Sequence, residues 1–258
     1  MATACECVWE GSADVYIRPF QSATDGFIAM GNCESVTINK SFTEQRVLDN
    51  TSTVGGNCAS YDRIDEISIE IECLDWCPEN LRIAFGGGLT LTTVAAGTAI
   101  AAEQHTALLP ATGTTFIKVN NIPDTTAAVT VTDNPVVNGP FVAGTDFTVS
   151  PGGILITKPA SAILNNDVLD IGYTTKGETI IQGIIEIGRE FSLILVGKNR
   201  AKANDYMIAT VHRINFRASE TITFVGNEPA TFTLTGEVLS DATQAAGDSQ
   251  YYTLQKAA

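Results

Sequence analysis

Glu70 and Glu72 stand two residues apart in Arg63-Ile64-Asp65-Glu66-Ile67-Ser68-Ile69-Glu70-Ile71-Glu72, and paired carboxylates can do general acid–base work. On a strand they share a face roughly 7 Å apart, a separation compatible with a glycosidase-type pair. No pattern in the chain places a cleft over them, so a solvated acidic face is the expected reading. The thiols are the second group with chemistry. All six cysteines (Cys5, Cys7, Cys33, Cys58, Cys73 and Cys77) lie within the first 77 residues. Cys5-Glu6-Cys7 and Cys73-x-x-x-Cys77 can supply four zinc ligands. Their spacing departs from the usual knuckle, however, and neither His105 nor His212 is nearby. Buried reduced thiols are expected, with a structural disulfide or a metal site as the alternative.

The remaining signals for catalysis are weak. Gly86-Gly87-Gly88 follows a helix instead of opening one after a strand, and no Gly-Lys-Ser/Thr comes after it, which argues against a phosphate loop. There is no Gly-x-Ser-x-Gly elbow, no His-Glu-x-x-His and no dinucleotide fingerprint. His212 sits in an apolar alternation, where a satisfied core or interface histidine is expected, and His105 falls at a module boundary where exposure is expected. The chain therefore reads as a non-enzyme without cofactor or metal.

The elements that carry these residues are mostly strands. Ile67, Ile69 and Ile71 alternate with Glu66, Ser68, Glu70 and Glu72, the period of a strand with one greasy and one acidic face. Glutamates on that face suit water or a polyanion opposite. Upstream, residues 36–48 alternate over an unusual length, and residues 49–61 form a polar, glycine-bearing loop, so a long hairpin with an extended tip is expected. One helix is predicted over 76–85, with Pro78 in its first turn, Gly86 past its end, and Leu81, Ala84 and Phe85 on one stripe. Residues 89–104 read as a connector. Between His105 and Lys176 short strands alternate with turn signals, suggesting an inserted β-sandwich module. Long strands return at 180–187, 190–196, 207–216, 221–225 and 230–239, and the tail from Ser240 reads as a flexible or docking arm.

Composition narrows the function. The 258 residues carry 29 acids against 15 bases, a formal charge of −14. Such a chain repels nucleic acid, which argues against binding through phosphate contacts but not against a surface past which DNA moves without sticking. No run approaches the ~18 apolar residues of a membrane span. Met1–Glu6 has neither a basic n-region nor an apolar h-region, so a soluble protein used without export is expected.

The order of features resembles the major tail tube proteins of long-tailed bacteriophages. The resemblance rests on the long hairpin, the acidic strand and the helix Pro78-Glu79-Asn80-Leu81-Arg82-Ile83-Ala84-Phe85. After the insertion it continues with Phe191-Ser192-Leu193-Ile194-Leu195-Val196-Gly197-Lys198-Asn199, Arg213-Ile214-Asn215-Phe216-Arg217 and Phe232-Thr233-Leu234-Thr235-Gly236-Glu237-Val238-Leu239. It covers residues of about 13–104 and 178–241, and it does not account for the cysteines. It implies a mainly β fold: a tail-tube β-sandwich with one flanking helix, whose strands close with those of other copies into a β-barrel ring. The implied domains are a first tube part at 1–104, an inserted immunoglobulin-like β-domain on the tube exterior at 105–177, and a second tube part with a C-terminal arm at 178–258.

The implied function is a virion structural protein, assembled in the host cytoplasm, whose hexameric rings stack into the tail tube and form an acidic channel for genome ejection. Glu66, Glu70 and Glu72 become lumen candidates, with Glu44 and Glu237 as weaker ones; period-two patterning alone leaves both orientations of the face open. Asn50, Thr51, Thr53, Gly55, Gly56 and Asn57 match in position the loop that touches the next ring. Implied partners are other copies of the chain, the tape-measure protein and viral DNA in the lumen, the tail terminator and tail-tip proteins, and host surface glycans at the inserted domain. No membrane is involved. A carbohydrate-binding surface β-protein is the alternative reading.

Overall fold

The computed structural model describes residues 8–22, 24–48, 56–86, 91–137, 140–186, 188–203, 205–219, 222–227 and 229–257. The chain is mainly β, and among the described residues none of its sheets closes into a barrel. In order, the strands are β1 (Gly11–Pro19), β2 (Ile28–Ala29), β3 (Cys33–Leu48) and β4 (Asn57–Cys73), followed by the helix α1 (Pro78–Ala84). Then come β5 (Thr92–Val94), β6 (Ala99–Thr106), β7 (Gly113–Lys118), β8 (Thr130–Asp133), β9 (Thr148–Ser150), β10 (Gly153–Lys158), β11 (Val168–Thr174) and β12 (Glu178–Ile180). The chain ends with β13 (Glu190–Asn199), β14 (Tyr206–Arg217), β15 (Phe232–Val238) and β16 (Tyr252–Lys256). Two compact units result, one from Met1–Leu89 with Ile181–Ala258, the other from Thr90–Ile180. Among the described residues no helix is long and apolar enough to cross a membrane.

The larger unit is one antiparallel sheet in the order β2-β1-β13-β14-β15-β4-β3, with β16 also on β14. Strand β14 serves both halves: its residues 207–211 pair with β16, and its residues 214–217 pair with β15. Between them His212 and Arg213 together oppose the single residue Ser192 of β13, a bulge that lets the sheet bend. Ser192 Oγ donates to the His212 carbonyl at 2.8 Å, and Arg213 grips Glu190 with two bonds of 2.6 and 2.8 Å, fixing that corner. The inner face collects Val15, Ile17, Ile67, Ile69, Ile71, Leu193, Val211, Ile214, Phe232 and Leu234 into one core. Each such side chain contributes about 1.5–3 kcal/mol by leaving water. Gly236 is required at the same bend, because a Cβ there would meet the Ile214 side chain at 2.8 Å and Phe216 at 2.9 Å.

Helix α1 is shorter than expected, and its buried stripe is shifted by one residue. Asn80, Ile83 and Ala84 face inward, while Leu81 and Phe85 are only half-buried. Asn80 repays its burial by donating to the Met30 carbonyl at 2.7 Å and the Asp75 carbonyl at 3.0 Å, tying the helix to the segment before β3. Replacing Asn80 with leucine leaves both carbonyls without that donor and is expected to cost about 1–3 kcal/mol, read as a lowered urea midpoint. An unchanged midpoint would remove Asn80 from the account of how the helix docks.

Two further expectations are corrected. Of the two expectations for the tail, docking holds and flexibility does not: Tyr252–Lys256 pairs with Met207–Val211, and Tyr251 and Tyr252 pack on the core. Residues 181–186 are not strand, the β-structure there ending at Ile180.

The smaller unit begins earlier than expected, because the stretch read as a connector supplies β5 and β6. It holds two three-stranded antiparallel sheets, β7-β10-β9 and β6-β11-β8, and the two-stranded pair β12-β5. Val131, Phe147, Ile154, Ile156, Leu169 and Ile171 lie in its core.

Candidate functional site

The acidic face is built by the register of three strands. Glu72 lies beside Ser35 of β3 and Thr233 of β15, and Glu70 beside Thr37 and Thr235. Ser68 lies beside Asn39 and Glu237, and Glu66 beside Ser41. Ile67, Ile69, Ile71 and Cys73 are buried on the opposite side, so the carboxylates point away from the core. Glu66 and Glu70 are exposed, and Glu72 and Glu237 are half-buried. Arg217, paired with Thr235 and hence on the same face, brings its guanidinium within 3.9 Å of Glu237. The other cross-strand partners of the four glutamates are short hydroxyls and amides, and Arg63, opposite Thr43, falls on the same face beyond the bulge. Glu72 borders a surface depression with Glu34 and Arg200, but Glu70 lies outside it.

Glu44 does not join this face. Strand β3 alternates without interruption from Ser35 onward, so Glu44 falls with Val36, Ile38 and Lys40, whose partners Ile71, Ile69 and Ile67 belong to the core side. It pairs instead with Arg46 at 2.7 Å. The residue missed from sequence is Asp65. A bulge between Ser41 and Phe42 leaves Asp65 as the extra residue of β4, and Thr43, on the acidic face, donates its hydroxyl to the Asp65 carboxylate. The signal was present: Ile64-Asp65-Glu66 breaks the alternation that holds from Glu66 onward.

Of the proposed inter-ring loop, Asn50, Thr51, Thr53 and Gly55 lie outside the described residues. Gly56 and Asn57 are exposed, and Asn57 opens β4 opposite Leu48. Beyond the core the β3–β4 ribbon is exposed on both faces, residues 41–48 against 57–66. Phe42, Leu48 and Tyr61 are 57, 64 and 59 % exposed there. Strand β3 is also the last strand of its sheet, so one side of a sixteen-residue strand has no partner strand among the described residues. A two-stranded ribbon with apolar side chains in water is marginal alone, and a long free edge invites another strand.

The remaining flagged groups are placed as follows. Cys5 and Cys7 lie outside the described residues. Cys73 is buried, Cys33 and Cys77 are half-buried, and Cys58 is exposed on the distal ribbon, against the expectation of burial. His212 is half-buried with its Nε2 enclosed and lacking a partner among the described residues.

His105 is not exposed at a boundary but half-buried in β6, with Nε2 2.6 Å from Glu103 Oε1. Glu103 also accepts from Tyr173 Oη at 2.7 Å and from the Asn120 N–H at 2.8 Å. Burial pushes the Glu103 carboxyl up, but the bonds from Tyr173, His105 and Asn120 outweigh it and hold the carboxyl below its ordinary value. A depressed value stabilises the fold above the ordinary range near pH ~4.3 and loses that contribution as pH falls through the folded value. Glu103→Gln is therefore expected to destabilise the smaller unit by about 1–2 kcal/mol at neutral pH, with the difference from wild type closing in acid. Amide hydrogen exchange of β6 and β11 measures it, and a gap that persists at low pH would contradict it.

Both the acidic face and the open edge fall inside the stretch 9–255 that matches a family described as protein of unknown function UCP028589. The chain belongs to that family. No curated protein matches it.

Proposed function

We propose that the chain is a structural subunit that polymerises through the free edge of β3 into a hollow tube, as the resemblance to phage tail tube proteins implies. The observation that carries this reading is the pairing of an unpartnered long strand with an acidic face on the same sheet. Closing several copies into a ring would give each β3 a neighbouring strand and cover Phe42, Leu48 and Tyr61, removing the edge. Head-to-tail stacking of such rings propagates as a filament. Glu66, Glu70, Glu72 and Glu237 would line the channel, repelling the phosphate backbone so that a genome slides without being held. Hexameric rings, a tape-measure protein and DNA in the channel, and terminator and tip proteins at the ends belong to the same proposal. So does an immunoglobulin-like identity for the Thr90–Ile180 unit, with host surface glycans as its ligand class.

Negative-stain microscopy of the purified chain over increasing concentration tests the reading, with rings or tubes as the expected result. A chain that stays strictly monomeric overturns it. The double variant Phe42→Asp, Leu48→Asp is expected to abolish assembly while leaving monomer stability within about 0.5 kcal/mol, since both side chains are exposed in the single chain. Tubes that form normally from this variant would exclude the ribbon from the contact.

A further inference from the structure

The base of the long hairpin holds two sulfurs that neither the acidic face nor the open edge uses. Cys33 opens β3 and Cys73 closes β4, directly opposite each other in the register, with Sγ atoms 2.8 Å apart. Strict alternation would put Cys33 with Ser35, Thr37 and Asn39 on the acidic face. The register steps from Cys33–Cys73 to Ser35–Glu72, so Glu34 is an extra residue, and this bulge turns Cys33 over to the core side where Cys73 lies. The two thiols meet only because of that one-residue irregularity. Cys73 is fully buried, whereas Cys33 keeps access to solvent.

We propose that Cys33 and Cys73 form a reversible intrachain disulfide by exchange with a low-molecular-weight disulfide such as oxidised glutathione. The Cys33 thiolate attacks one sulfur of the small disulfide, breaking its S–S bond and releasing one small thiolate, which takes up a proton. Cys73 then loses its proton to solvent and attacks the Cys33 sulfur of the mixed disulfide. That second S–S bond breaks, the second small thiol leaves, and the Cys33–Cys73 bond is made. Two protein thiols are oxidised and one small disulfide is reduced. The hydrogen bond from Cys73 holds the Cys33 thiol below its ordinary value against burial and the Asp75 carboxylate, so the accessible sulfur is the one enriched in thiolate. The same bond and burial push the Cys73 thiol up, so Cys33 is the sulfur that reacts first. The link joins residues 40 apart and pins the edge strand to β4 at the end nearest the core. It holds whether or not the chain polymerises.

The test is to titrate the folded full-length chain with oxidised glutathione, block remaining thiols, digest without reductant and map the peptides. The expected result is a Cys33–Cys73 linked peptide from a chain lighter by two hydrogen atoms, with Cys58 blocked and the link reversed by dithiothreitol. The oxidised chain should also melt roughly 5–10 °C above the reduced one. Cys33→Ser should lose both the link and the shift, and Cys58→Ser should keep both. Two thiols that stay fully blockable after excess oxidant overturn the proposal, as does a link running to Cys77 or between chains. The wild-type map decides the matter even where a variant fails to fold.

Discussion

Ile71→Ala is expected to lower the stability of the larger unit by about 2–5 kcal/mol, whereas Ile64→Ala on the same strand should leave the monomer nearly unchanged. Ile71 is 0 % exposed, has Val36 and Leu234 as its cross-strand partners, and sits in a core shared by strands from both ends of the chain. Removing its outer carbons leaves a hole that rigid neighbours on both sides cannot close. Ile64 is 44 % exposed on the distal ribbon, so its truncation takes little away from the isolated chain. Urea unfolding of dilute monomer measures both. Where the proposed assembly forms, the ranking should narrow, because the ribbon would then be buried. Equal costs in the dilute monomer would mean that the ribbon is already covered within one chain, and the argument for a partner strand would fail.

The second large effect concerns DNA. Glu66→Lys, Glu70→Lys and Glu72→Lys together shift each subunit by six charges (three sites, two units each), on a surface that the single chain leaves open. Wild-type tubes are expected to retain no duplex at any salt concentration. Tubes of the triple variant should retain linear duplex at low salt and release it steeply as salt rises, with a log–log slope of about −0.9 for each phosphate neutralised. The retained DNA should be protected from nuclease, and closed circular DNA, which cannot thread a channel, should not be retained. Capture of circles would put the carboxylates on the outer wall and end the channel reading, while leaving polymerisation itself intact.

The sequence made the β3–β4 hairpin and the acidic alternation legible, because period two survives any change of partner. Its failures have local causes. Asp65 and Glu34 are bulge residues, and each reverses the face of what lies beyond it on its own strand; from Ser35 to Glu44 there is no such break, and straight alternation already puts Glu44 on the core side. An amide does not read as core, yet its two carbonyl partners make Asn80 better buried than Leu81. Strand β6, Ala99-Ile100-Ala101-Ala102-Glu103-Gln104-His105-Thr106, lacks large apolar residues at every second position, and its pairing with β11 comes from tertiary context. The C-terminal strand β16 is short and polar for the same reason: it borrows its place from the ladder of β14. The His105–Glu103–Tyr173 network joins residues 70 apart and leaves no trace in spacing.

The two strands that bound the smaller unit, β5 and β12, are zipped to each other: Thr92 lies opposite Ile180 and Val94 opposite Glu178. A module whose two ends meet behaves as a cassette. It can be cut out and replaced by a few linker residues, or exchanged for another of any length, while the flanking chain keeps the same gap to bridge. A change of length between β5 and β12 is then expected to leave the pairing of these two boundary strands, and the spacing they hold, unchanged.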